Sequence, residues 1–176
     1  MKTLRIALIA TLAAAFLVGT ANAQRKTANR AVPKKAITVV APLEVRAARS
    51  KVTTQYENVN LFVNKFGPIA AALDALEAEY ATKRPTAKNL AAHETNKKNV
   101  VLTIQNLKAG LATLESEFRT KAELRRYLTT IDGVASLAAR AEDSAIAGKF
   151  VQSKEPLRTA AQKLLDTLAV MPKGEI

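Results

Sequence analysis

The chain has 176 residues, 48% of them hydrophobic, and a formal charge of +12 from 27 Lys or Arg against 15 Asp or Glu. It contains no cysteine and one histidine, His93, which excludes disulfide staples, thiolate catalysis, zinc–cysteine sites, covalently attached haem and any two-histidine metal site. A chain of this length can bury one core without staples, so a single domain is expected.

The opening "MKTLRIALIATLAAAFLVGTANA" has Lys2 and Arg5 before an apolar run from Ile6 to Val18, then Ala21-Asn22-Ala23. This reads as a secretory signal peptide, residues 1–23, cleaved after Ala23, with an apolar run too short for a comfortable membrane span. The expected location is a bacterial periplasm or the cell exterior. Residues 24–42 read as a flexible basic arm. The stretch 24–51 holds eight Lys or Arg against one acid, Glu44, and too little apolar material to order itself. The short run "AITVVAP" (36–42) is read as linker.

From residue 43 to 172 the apolar residues predict an all-α domain. Val52, Val59, Phe62, Phe66, Ile69, Leu73, Leu76 and Tyr80 keep steps of three and four, with Gln55 as a polar entry. The same rule gives Leu90, His93, Lys97, Val100, Ile104, Leu107, Leu111, Leu114 and Phe118. It continues through Leu124, Tyr127, Ile131, Val134, Ala138, Ala141 and Ala145, and then Leu157, Ala161, Leu164, Leu168 and Met171. Such steps place each set on one stripe of a helix, which a strand cannot do.

Helices are therefore expected at about 43 or 52 to 82, 87–118, 121–147 and 154–171. Val45 and Ala48 favour the earlier start of the first, and Thr54 with Glu57 the later one. Thr120 with Glu123 forms a second capping-box pattern. Gly67-Pro68 predicts a kink rather than a break, Gly148 a C-terminal cap, and Pro156 the first turn of the last helix. Short connections make neighbours antiparallel, so the expected architecture is an up-down-up-down four-helix bundle.

His93 and Lys97 fall on the seam of the second helix. Level-counting along antiparallel helices places Glu77, Tyr80 and Glu142 within reach. One reading is a small polar pocket of Glu77, Tyr80, His93, Lys97 and Glu142. The other is a bundle end open to water, with Lys97 snorkelling and His93 half exposed. The residue three before His93 is Leu90, so the Glu-x-x-His pattern of di-iron bundles is missing. The six glycines are scattered and form no phosphate loop. A serine or threonine nucleophile would have His93 as base with no third member. No cofactor and no metal site is expected, and the chain is read as not an enzyme.

The closing stretch "LAARAEDSAIAGKFVQSKEPLRTAAQKLLDTLAV" (137–170) resembles the last hairpin of periplasmic four-helix cytochromes of the b-type and c-prime kinds. An Ala-rich helix ends there in a Gly-Lys turn before a basic, Ala/Leu-rich final helix. The resemblance implies a shared scaffold without the cofactor, since Cys-x-x-Cys-His and a histidine on the final helix are both missing. Met171, the one methionine past Met1, is expected about 25–30 Å from His93 along the bundle.

Level-counting also gathers Arg46, Arg49, Lys51, Arg119, Lys121, Arg125 and Arg126 into a basic pole, diluted by Glu115, Glu117 and Glu123. Such charge attracts polyanions at long range and is screened by salt. The expected partners are anionic lipid, lipopolysaccharide or acidic polysaccharide. Sequence-specific nucleic-acid readout is not expected, because no aromatic residues are interleaved with the cations. The functional expectation is thus a binding or scaffold module. The alternatives are a small-ligand carrier using the end around His93 and a chaperone-like envelope protein; self-association is compatible with each.

Overall fold

A computed structural model describes residues 41–173 of the protein; the expected signal peptide, and the arm apart from Ala41 and Pro42, lie outside them. Among the described residues all regular structure is helical, and no strand occurs. Helix α1 spans Leu43–Thr82 and α2 Ala87–Thr120. A 3-10 segment, Ala122–Tyr127, leads into the short α3, Leu128–Ile131. Helices α4, Val134–Ile146, and α5, Phe150–Val170, complete the chain.

Helix α1 takes the earlier of its two expected starts. Val45 and Ala48 are buried, and that apolar gain outweighs any cap at Thr54. The Thr54 hydroxyl instead donates back to the Ser50 carbonyl within the helix, at 3.2 Å, so the Thr54–Glu57 box does not form. The helix continues through Gly67-Pro68. Pro68 supplies no N–H to Asn64, and both residues are exposed, so water can take the freed carbonyl.

The third expected helix is divided. The Thr120 hydroxyl donates back to Ser116 at 2.9 Å rather than capping forward to Glu123. The chain then tightens into the 3-10 segment and turns at Gly133, whose φ of +86° is left-handed. Even so, Leu124, Tyr127, Ile131, Val134, Ala138, Ala141 and Ala145 are all buried. A 3-10 turn has three residues, so the step from Leu124 to Tyr127 stays on one face.

Helix α5 begins at Phe150, four residues before its expected start, which puts Pro156 inside the helix rather than in its first turn. The reason is Asp74 of α1. Its carboxylate accepts from the backbone N–H of Phe150 at 2.8 Å and of Val151 at 3.1 Å. Gly148, at φ +72°, closes α4 as expected; the next N–H, of Lys149, donates to Ser144 O at 2.9 Å.

α1 packs most broadly on α5, α5 on α4 and α4 on α2, whereas the α1–α2 contact is narrower. Phe66, Phe118, Phe150, Leu73, Ile104 and Leu164 are fully enclosed by these helices, each contributing about 1.5–3 kcal/mol. Leu90, expected in the seam, is 44% exposed; only one turn of α2 precedes it, and its side chain lies outside the core.

Asp74→Ala leaves two N–H groups at the head of α5 without their acceptor and should lower unfolding free energy by about 1–2 kcal/mol in urea titrations. Asp74→Asn keeps an acceptor, loses the charge at the helix N-terminus, and should fall between. Gly133→Ala meets no atom within 4 Å. Its cost, about 1–2 kcal/mol by the same measurement, should come from the left-handed backbone alone.

Candidate functional site

Four of the five residues expected around His93 do meet. The imidazole is 3% exposed, and its Nε2 lies 3.2 Å from Glu77 Oε1. The same carboxylate oxygen takes Lys97 Nζ at 2.6 Å, and Lys97 also reaches Glu94 at 3.2 Å. The Tyr80 ring stands edge-on to the imidazole, with centroids 5.2 Å apart. Gly148 closes the group: a Cβ there would stand 3.6 Å from Glu77 Oε1. The imidazole's second nitrogen, Nδ1, is buried and has no hydrogen-bond partner among the described residues.

Ion pairing sets the charge states here. The hydrogen bond from Lys97 holds the Glu77 carboxyl below its usual range, against the cost of burial, with His93 adding to the effect. The Lys97 ammonium is correspondingly raised, chiefly by Glu77. Glu142, the fifth expected residue, stands elsewhere. It accepts from Gln105 at 2.8 Å and pairs with Lys108, and these contacts, Lys108 first, lower its pKa. The 3-10 segment and the turn at Gly133 move the fold-back point along the chain, so Glu142 comes level with Gln105 and Lys108 rather than with Lys97.

His93 is therefore neither half exposed nor beside Glu142. It is sealed into a polar knot that joins α1 and α2, and Lys97 and Glu77, their side chains 25% and 36% exposed, are the parts that meet water. Two open surface clefts lie elsewhere. One, of about 480 Å³, is lined by Arg140, Asp143, Ser144, Gln152, Glu155 and Pro156. The other, of about 250 Å³, lies between α1 and α5 beside Tyr56, Asn60 and Arg158. No cluster of three or more His, Asp or Glu suited to a metal ion occurs among the described residues. Met171 lies toward the other end of α1 from His93. Its carbonyl accepts from Arg49 while His93 contacts Glu77, and Arg49 and Glu77 are 28 positions apart on α1, about 42 Å.

The seven cations of the expected pole also come together, but carboxylates answer three of them. Lys51 pairs with Glu117. Lys121 pairs with Glu44 at 2.7 Å, a contact that lowers the Glu44 pKa and raises that of Lys121. Arg119 bridges Glu115 and Asp132. Arg49 donates to the carbonyls of Leu168, at 2.5 Å, and Met171, at 2.7 Å; it ties off the end of α5 and is not available to a partner. Arg126 lies over the Tyr127 ring, 4.8 Å from its centroid, and Arg125 donates to Arg119 O at 3.3 Å. Arg46, Arg125 and Arg126 are exposed and form no ion pair among the described residues.

Sequence reasoning missed the structural work of Glu115, which is buried on α2. Its carboxylate accepts from the backbone N–H of Ala135 at 3.1 Å, at the head of α4. Burial opposes its ionisation, but the Arg119 guanidinium and the N–H groups of Ala135 and Gly133 prevail, and its pKa is lowered. No local pattern marks Glu115 or Asp74 as helix caps, because each caps a helix other than its own.

Comparison with known proteins finds no matching family model, curated protein or solved structure. Among the described residues no helix is long and apolar enough to cross a membrane.

Glu77, Glu115 and Glu142 all have folded-state pKa values below the ordinary 4.5. Each thus contributes stability that is fully present above about pH 4.5 and is lost as pH falls through the lowered folded value. Denaturation titrations across that window should show stability falling with acid. Glu115→Gln should be less stable than the parent at neutral pH and show a shallower fall.

Proposed function

We propose that the protein is a non-catalytic, exported helical module, delivered to a periplasm or the cell exterior by a signal peptide cleaved after Ala23. On this reading residues 43–172 form an antiparallel up-down-up-down four-helix bundle behind a basic arm. The protein acts by binding or scaffolding, and its partner is an anionic envelope component: anionic lipid, lipopolysaccharide or acidic polysaccharide.

One observation carries the reading. Residues 24–40 hold Arg25, Lys26, Arg30, Lys34 and Lys35 with no acid, and they lead into an end of the folded unit where Arg46, Arg125 and Arg126 stay exposed without ion pairs among the described residues. Polyanions gain from such charge by long-range attraction and counterion release, with no need for a shaped pocket. The enclosure of His93 supports a role without catalysis, since the single imidazole is held by Glu77 and shut off from substrate.

The test is retention on heparin and on anionic vesicles by the chain beginning at Gln24. Binding is expected at about 0.05 M salt and should be released by about 0.5 M, where the screening length is only a few ångströms. Deleting 24–40 should weaken it at least about tenfold, and reversing Arg125 and Arg126 to Glu should weaken it further. Salt-insensitive binding, or none at low salt, overturns the reading. Residues 43–51 should stay in every variant, because Val45 and Ala48 belong to the core.

A further inference from the structure

The opposite end of the folded unit also leaves exposed cations without ion pairs among the described residues. Two loops lie at that end: α1 to α2, around Lys83–Lys88, and α4 to α5, around Ile146–Val151. The second is tied to α1 by the Asp74 bonds to Phe150 and Val151. The Glu77–His93 contact, with Gly148 beside it, adds a second tie. Residues 80–93 and 144–154 contain no acid. Lys83 pairs with Glu79, but Arg84, Lys88 and Lys149 are exposed and form no ion pair among the described residues. Apolar side chains of the same end also stand in water: Ile146 at 61% exposure, Leu90 at 44% and Val151 at 44%.

We propose that this two-loop tip docks on the surface of an anionic lipid bilayer. Ile146, with Leu90 and Val151, would enter the headgroup boundary while Arg84, Lys88 and Lys149 meet lipid phosphates. A soluble polyanion is satisfied by cations alone; exposed apolar side chains at the same end as cations without ion pairs are the combination an anionic membrane interface rewards. The α4–α5 loop is also preorganised, since Asp74 fixes the head of α5 before any partner arrives, so little ordering accompanies docking there. At the pole Glu44, Glu115, Glu117 and Asp132 already answer Lys51, Arg119 and Lys121. This inference uses other residues than the arm-and-pole reading and stands if the arm proves inert.

The protein has no cysteine, so Ile146→Cys gives a unique attachment point for an environment-sensitive fluorophore. Leu102→Cys, at an exposed position midway along α2, is the control. The folded unit begins at Ala41, so chains beginning at Gln24 and at Ala41 both keep it whole. With vesicles of phosphatidylglycerol and phosphatidylcholine at about 0.1 M salt, the label at 146 should shift to the blue and the label at 102 should not. The shift should persist in the chain beginning at Ala41 and vanish on pure phosphatidylcholine. Lys149→Glu, or Arg84→Glu with Lys88→Glu, should weaken partition about fivefold or more per charge. Vesicle binding with no shift at 146 overturns the tip and leaves the arm-and-pole reading intact. Heparin retention without vesicle binding assigns the charge to soluble polyanions and also overturns it. A shift that disappears with residues 24–40 attributes docking to the arm, and equal shifts at 146 and 102 indicate non-specific adsorption; either result overturns the tip.

Discussion

The helices are held in place by side chains that cap ends other than their own. α5 begins where Asp74 of α1 offers its carboxylate to two backbone N–H groups, and it ends where Arg49 of the same α1 takes two of its last carbonyls. α4 begins where Glu115 of α2 accepts from Ala135. Neither α4 nor α5 has a capping side chain at its own N-cap, occupied by Gly133 and Lys149. A helix terminus leaves several polar groups without partners, and burying it against neighbours is costly unless those partners come from somewhere. Here they come from across the core, so secondary structure and packing are decided together.

The same economy explains the polar residues in the seams. His93 and Lys97 interrupt an otherwise apolar stripe, but Glu77 receives both, and Tyr80 covers the imidazole with an aromatic edge. Gln105 and Lys108 receive Glu142 two turns further along α2. Partly buried ion pairs of this kind add little net stability over an apolar seam, but removing one partner strands the other. They also penalise a helix sliding by one turn, because each charge would lose its match. The narrow α1–α2 contact thereby keeps its register with few apolar residues.

Charge at the two ends follows the same bookkeeping of partners. Raw counts point to the pole, where Lys and Arg are densest in the sequence. The pairs formed there by Glu44, Glu115, Glu117 and Asp132 leave a modest excess. The other end has fewer cations, but its two loops lack acids, and Arg84, Lys88 and Lys149 keep their charge for outside contacts. Local balance of opposite charges, and not the density of one sign, decides which surface attracts a partner.

Helical class and most of the core were legible in the sequence, because period-3.6 patterning is a local property of the chain. All seven residues of the third stripe are buried, though the backbone beneath them is divided into a 3-10 segment, α3 and α4. The meeting of Glu77, Tyr80, His93 and Lys97 was also legible, since level-counting across one short turn accumulates little error. Glu142 was misplaced because the count had to cross the turn at Gly133, where the rise per residue changes. The start of α5, the enclosure of His93 and the capping roles of Asp74, Glu115 and Arg49 belong to the tertiary structure alone. Each depends on an atom far along the chain arriving within about 3 Å, and no pattern of neighbours in sequence records such a distance.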